Sequence, residues 1–184
     1  MIEGEVARMN HLTTRLLRLA RIDRDEIKPA LERSSLDKLV AHLVGQYRSY
    51  SSGHPVTLEI RPDALDVLAD PELMNLALVQ LLDNACKYST PGSPVKVEVS
   101  RDEDFADVSV TNDGCPIKDE ERERVFERFY RGVETEHSAS GAGLGLYVAR
   151  RIIRAHGGHL ELRRDGSAGG TTTFKIRLPL VRNE

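Results

Sequence analysis

The chain has 184 residues, 40% of them hydrophobic and 30% charged, with a net charge of −3. That is enough chain for one domain with a real core and too apolar for disorder, and its mild acidity gives no electrostatic reason to expect nucleic acid or a membrane surface as the main partner. No apolar run approaches the ~18 residues of a membrane span, no signal core follows Glu3 and Glu5, and Cys86 and Cys115 form no CxxC pair, so zinc scaffolds are excluded and a reducing, cytoplasmic setting is expected.

Residues 2–22 read as a helix, with Ile2, Val6, Met9, Leu12, Leu16 and Leu19 on one stripe. So narrow a stripe with basic flanks suits a bundle helix seeking a partner helix, and pattern alone fits a surface helix on its own domain equally well. The polar stretch from Asp23 to Arg33 holds Pro29 and reads as a linker. A second helix starts near Ser35 as N-cap and turns Leu36, Leu39, Val40, Leu43 and Tyr47 inward. Val56, Leu58 and Ile60 alternate with polar residues as a strand, and a short strand follows at Val67–Leu68.

Asp70-Pro71-Glu72 then opens a third helix, with a capping Asp, Pro at the first helical position and an early acid, running to about Tyr88. Val95, Val97 and Val99 form a strand and Val108 with Val110 another, joined by a charged connection over 101–107. Residues 120–129 predict a short helical stretch, and 131–143 a mobile loop poor in core residues. A helix over 144–156 ends at Gly157, followed by strands over 159–164 and 171–180 around a Gly-rich turn. Hairpins alternating with helices predict a two-layer α/β sandwich, one mixed sheet with helices on one face.

Gln80, Asn84 and Lys87 share one face of the third helix. Such a stripe is usually solvent-facing, and alone it favours that reading. Its other meaning is a metal–phosphate site, in which an amide oxygen suits Mg²⁺ and the lysine neutralises phosphate. Gly141, Gly143 and Gly145, with Leu144 and Leu146, stand directly before a helix, where close backbone approach and the positive dipole end favour phosphate. The turn is neither a dinucleotide fingerprint nor a Walker loop.

Four segments follow in order: 81–89 (LLDNACKYS), 110–114 (VTNDG), 126–131 (FERFYR) and 141–146 (GAGLGL). Together they resemble the asparagine, first glycine, phenylalanine and second glycine boxes of bacterial sensor histidine kinases. The resemblance covers about residues 35–182 as an ATP-binding catalytic domain of the Bergerat type, preceded by the second helix of a dimerisation and phosphoacceptor hairpin (1–24) and a linker (25–34). It implies Mg²⁺ on Asn84, phosphate on Lys87, Tyr88 lining the pocket, and Gly141, Gly143, Leu144, Gly145 and Leu146 as phosphate lid. Asn112, Gly114 and Ile117 would frame adenine, Thr172 would support them, Tyr130 would belong to the nucleotide site, and Arg128 would contact phosphate. Plain core packing is expected for at least one of Phe126, Phe129 and Tyr130.

The sequence departs from the family pattern in three places. Asn112 stands where an aspartate usually accepts from the adenine amino group, and Asp113 next door would restore an acid after a one-residue register change. Pro116 replaces a glycine. Thr171, where a glycine is common, leaves the choice of Thr172 uncertain by one residue.

ATP-hydrolysing relatives carry a glutamate where Gln80 stands, and Gln80 cannot take a proton. Asp83 points about 100° from Asn84 around the helix. Transfer to a protein acceptor is therefore expected, with a nucleotide-binding interaction module and a Bergerat-fold ATPase as the other readings. His11 lacks the acceptor's flanking pattern and His156 reads as structural. His42, His54, His137 and His159 have no metal-ligand spacing. The phosphoacceptor histidine is expected upstream of Met1. Partners implied by the resemblance are that acceptor helix, a response regulator and a second copy of the receptor, with membrane contact only through upstream segments and no nucleic acid.

Overall fold

The architecture follows from strands whose inward positions are apolar on one face only. The structure, a computed structural model, describes residues 27–50, 53–61, 65–114, 117–132, 142–163 and 170–181. The predicted helix over 2–22, Gly141 and most of the loop before it, Pro116 and the Gly-rich turn over 165–169 lie outside the described residues.

In chain order the elements are β1 (Glu32–Ser35), α1 (Leu36–Tyr50), β2 (Val56–Ile60), β3 (Asp66–Ala69), α2 (Pro71–Tyr88), β4 (Val95–Asp102), β5 (Phe105–Asp113), α3 (Gly145–Ala155), β6 (His159–Leu162) and β7 (Thr171–Pro179). Five strands form one sheet in the order β2-β4-β5-β7-β6. The β2–β4 pair is parallel and the others antiparallel, so the sheet is mixed, as expected. Val95, Val97 and Val99 of β4, Val108 and Val110 of β5, Leu160 of β6, and Phe174, Ile176 and Leu178 of β7 are buried. The apolar sides of α1, α2 and α3 cover that face, and removal of this apolar surface from water is the main stabilising term.

Three local expectations change. Residues 101–107 are almost all strand: Arg101 pairs with Ala106 and Asp102 with Phe105, leaving Glu103, at φ 51°, and Asp104 as the turn. Charged side chains on an exposed hairpin end are compatible with a ladder whose backbone groups are all paired. The stretch 120–129 is not a helix but two 3₁₀ turns, Asp119–Glu121 and Arg124–Phe126. Three consecutive acids and only one fully buried residue, Phe126, give a longer helix little to bury. The end of the predicted linker is β1, which pairs antiparallel with β3 in a separate two-stranded sheet. Its residues Glu-Arg-Ser-Ser show no apolar alternation, because β3 supplies the buried side of that pair through Val67 and Ala69.

The far face of the large sheet is polar and carries its own network. Asp107 is 1% exposed there, yet Lys175 Nζ lies 2.7 Å and Arg177 Nε 2.9 Å from its carboxylate. Arg177 also pairs with Asp102. Both sheet edges are blocked by arginine: Arg48 donates to the Val56 carbonyl at 2.7 Å, and Arg122 to the Leu162 carbonyl. Occupied edge carbonyls oppose pairing with a foreign strand.

At the α1 entrance, burial pushes the Asp37 carboxyl up, but hydrogen bonds from Ser35 Oγ (2.6 Å) and the Leu65 N–H (3.2 Å) outweigh it and hold the carboxyl below its ordinary value. A depressed folded-state value stabilises the fold above the unfolded value of ~3.9, and that stabilisation fades as pH falls below it. Denaturation midpoints between pH 3 and 6 should therefore fall more steeply toward acid for the wild type than for Asp37→Asn. Asp107→Ala, which leaves two cations facing an empty site, should cost ~3 kcal/mol in a urea titration.

Candidate functional site

The stripe on α2 grades from core to solvent. Gln80 is 4% exposed, Asn84 half-buried and Lys87 exposed. The purely solvent-facing reading of this stripe therefore fails at Gln80. Gln80 packs on the N-terminus of α3: a Cβ at Gly145 would lie 2.9 Å from Gln80 Oε1. Asn84, one turn further along α2, follows on the same helix face. Lys87 Nζ sits 4.9 Å from the Tyr88 ring centroid.

Asp83 leaves this face entirely. Its Oδ1 accepts from Tyr47 Oη of α1 at 2.9 Å. Burial first, and the Asp83 charge second, push the Tyr47 hydroxyl far above its ordinary value. Burial likewise raises the neighbouring Cys86 thiol, which is therefore a poor nucleophile. Tyr47 was placed inward by periodicity, but its polar partner lies 36 residues away and left no local signal.

The end of β5 resolves the register question. Val108, Val110 and Asn112 are buried on the helix-facing side, and Asp113 is exposed on the other. A strand's period of two cannot present both neighbours to one cleft. Asn112, at 2% exposed, pairs across the ladder with Thr172, at 7%. Asp113 pairs with Thr171, whose hydroxyl lies 3.4 Å from its Oδ1. Position 172, not 171, thus faces the same way as Asn112.

Gly114 is pinned from both sides. Its N–H donates to the Gly170 carbonyl at 2.6 Å, and Ser89 forms a bridge to it from the end of α2. A Cβ there would lie 2.0 Å from the Tyr88 carbonyl oxygen, so only glycine fits. This contact fastens the asparagine-bearing helix to the end of β5.

The glycine turn before α3 packs on the phenylalanine segment. Gly143 has φ +65°, and a Cβ would stand 2.7 Å from the Tyr130 carbonyl oxygen. Phe129 N–H donates to the Gly143 carbonyl at 3.0 Å. Phe129 itself has φ 64° and is 59% exposed, a strained backbone held by that contact. Phe126 meets the expectation of core packing, edge-on to Phe174 at 5.9 Å. Tyr130 donates to Glu121 at 2.7 Å, and burial together with that bond raises its hydroxyl above the ordinary range. Glu121 as its partner was not foreseen. The Arg128 guanidinium lies 4.6 Å from the Phe129 ring centroid, and Ile117 and Leu146 pack partly against the core. Leu144 precedes the first turn of α3, whose N–H groups an α-helix leaves without intrahelical partners.

His156 is structural, as its position suggested. It accepts the Asp70 N–H at Nε2 (3.0 Å) and faces the Ile152 carbonyl at Nδ1 (2.8 Å). An amide can only donate and a carbonyl only accept, so the ring is neutral with its proton on Nδ1. Among the described residues, no group of three or more His, Cys, Asp or Glu could hold a metal on protein ligands alone.

Residues 69–182, well over half of the chain, match the family described as histidine kinase-, DNA gyrase B- and HSP90-like ATPase. The chain belongs to this ATPase family. Membership makes ATP the nucleotide of the domain. The chain is 34% identical over 176 residues to the sensor protein IrlS of Burkholderia pseudomallei, covering 95% of this chain and 37% of IrlS. It is 31% identical over 181 residues to the sensor-like histidine kinase SenX3 of Mycobacterium tuberculosis, covering 96% and 43%. The chain thus spans about two fifths of these relatives. The solved mycobacterial sensor histidine kinase MprB superposes with a TM-score of 0.70 at 28% identity, over 82% of this chain and 98% of MprB. ShkA in complex with AMPPNP, at 22% identity and a TM-score of 0.73, covers 98% of this chain and 39% of its own and shares the fold.

In this ATPase domain the crowding at Gly114 makes a direct prediction. Gly114→Ala should lower the thermal midpoint by more than ~5 °C and weaken nucleotide binding, since either α2 or β5 must shift. Gly45→Ala, in α1 with open space around it, should stabilise by about 1 kcal/mol, which a parallel melt checks.

Proposed function

We propose that this domain binds Mg-ATP between α2 and the glycine turn and passes the γ-phosphoryl to a histidine of a helical hairpin in the same receptor. The observation that carries the reading is the packing of Gln80 on Gly145, which sets Asn84 one helical turn from the start of α3. Asn84 offers an amide oxygen that suits Mg²⁺, and among the described residues no carboxylate or histidine cluster competes for the ion. Magnesium in such a site neutralises phosphate charge and shares its ligands with phosphate oxygens.

Lys87 adds a point charge at the rim. Gly143, Leu144, Gly145 and Leu146 present backbone amides to the phosphates, and Gly141, outside the described residues, belongs to the same phosphate-binding segment. Asn112 accepts from the adenine amino group through its amide oxygen, supported by Thr172 and flanked by Gly114 and Ile117. Tyr88 lines the pocket, Tyr130 braces the glycine turn, and Arg128 meets the phosphoryl group as charge spreads during transfer.

Gln80 cannot act as a base, and Asp83 is engaged by Tyr47. Water is therefore not activated, and positioning of the acceptor decides the reaction. Residues 1–24 act as the second helix of the phosphoacceptor hairpin and 25–31 as its linker up to β1, in a homodimeric receptor reaching the membrane through upstream segments. The phosphoryl then moves to an aspartate of a response regulator. The names of IrlS and SenX3 support this assignment.

Asn84→Ala and Asn84→Asp should abolish Mg-dependent nucleotide binding in calorimetry while leaving the far-UV spectrum unchanged. Unchanged affinity in either variant places the ion elsewhere. With labelled ATP, label should reach a separately supplied acceptor hairpin and little phosphate should be released to water. Steady phosphate release that is lost in Gln80→Ala or Asp83→Ala would instead identify an ATPase.

A further inference from the structure

The contacts around Asp70 tie three parts of the chain at one point. Its Oδ1 caps α2 by accepting from the Glu72 and Leu73 N–H groups, both at 3.1 Å. Its other oxygen, Oδ2, accepts the Ala30 N–H at 3.0 Å, from the linker. Its own N–H donates to His156 at the end of α3. Ile27 packs partly against the core, and β1 pairs with β3 immediately before Asp70, with Glu32 opposite Ala69. The linker is thus laid along the start of α2 rather than hanging free.

The two helices that bear the site meet at two points, the start and the middle of α2. Asp70 meets His156 at the first and Gln80 meets Gly145 at the second. Ten residues separate the first pair along α2 and eleven along α3, about 15 and 16 Å of helix. Contacts at these two points, over spans of similar length, join α2 and α3 as one antiparallel unit. A force on the linker at Ala30 therefore acts on the pair as a whole.

The geometry points to the Ala30–Asp70 bond as a latch that sets the angle between the catalytic domain and the upstream acceptor helix. Asp70 is then a positioning residue for transfer within the receptor, with no part in holding nucleotide. This inference rests on the kinase reading for its effect on transfer, but the latch itself stands on the contacts alone.

Asp70→Asn separates the roles. Asparagine caps a helix as well as aspartate does. Its amide nitrogen, however, would face the Ala30 N–H, donor against donor. Asp70→Ser, with one oxygen for the cap and none for the linker, is the second variant. In the full-length receptor, both should speed hydrogen exchange at the Ala30 amide about tenfold, with Ser89 and Gly114 unchanged. Both should change the rate of transfer to the receptor's own hairpin by threefold or more. The affinity for Mg-ATP and the rate toward a hairpin supplied as a separate polypeptide should stay at wild-type values.

Unchanged exchange at Ala30 overturns the latch. So does faster exchange with no change in the internal rate, or a parallel loss of nucleotide affinity, which marks a merely structural cap. If the wild-type receptor transfers no phosphoryl at all, the kinase reading falls and the latch's role in transfer falls with it, while faster exchange at Ala30 still shows that Asp70 holds the linker.

Discussion

The site depends on the fit of Gln80 against Gly145. An amide side chain occupies the space that any Cβ at the start of α3 would need. The two helices approach closely there, and the approach sets where Asn84 stands relative to the glycine turn. The same device recurs at Gly114 against the Tyr88 carbonyl and at Gly143 against Tyr130. Three backbone approaches without side chains, each joining a different pair of segments, define the rim of the cleft. Glycine serves here by what it leaves out, in addition to any contact with phosphate.

Polar groups around the cleft are sorted by what already engages them. Asp83 and Glu121 both accept from a tyrosine, Tyr47 and Tyr130. Their carboxylates brace the scaffold, and burial first, with these carboxylates second, raises the tyrosine hydroxyls. The stripe left on α2 is amide, amide and ammonium, with no proton acceptor of suitable strength at neutral pH. On this stripe neither Gln80 nor Asn84 can take a proton from water.

The helix cap and the linker share parts. The residue that caps the asparagine-bearing helix also holds the linker, and the histidine that receives its N–H closes the other helix of the pair. Burial of the polar face of the sheet around Asp107 gives the scaffold a second, independent anchor away from the cleft.

Much of this was legible in the sequence because it depends on period and on special residues. Alternating valines gave β4 and β5, Asp70-Pro71 the start of α2, and Gly157, at φ +71°, the end of α3. Asn84, Asn112, Phe126 and the glycine turn, in that order, carry the resemblance to the family that residues 69–182 match. What the tertiary structure decided lies in contacts between distant segments. β1 became a strand only because β3 lends it a buried face, the charged run at 101–107 stayed in the ladder because its partners were there, and 120–129 failed as a helix for want of apolar surface to cover. The choice of Asn112 over Asp113 needed the orientation of β5 against the helices, and the partners of Asp70, Asp83 and Tyr130 needed the fold itself. Local pattern reports which side of an element is apolar, and says nothing of which polar group thirty or eighty residues away will stand opposite.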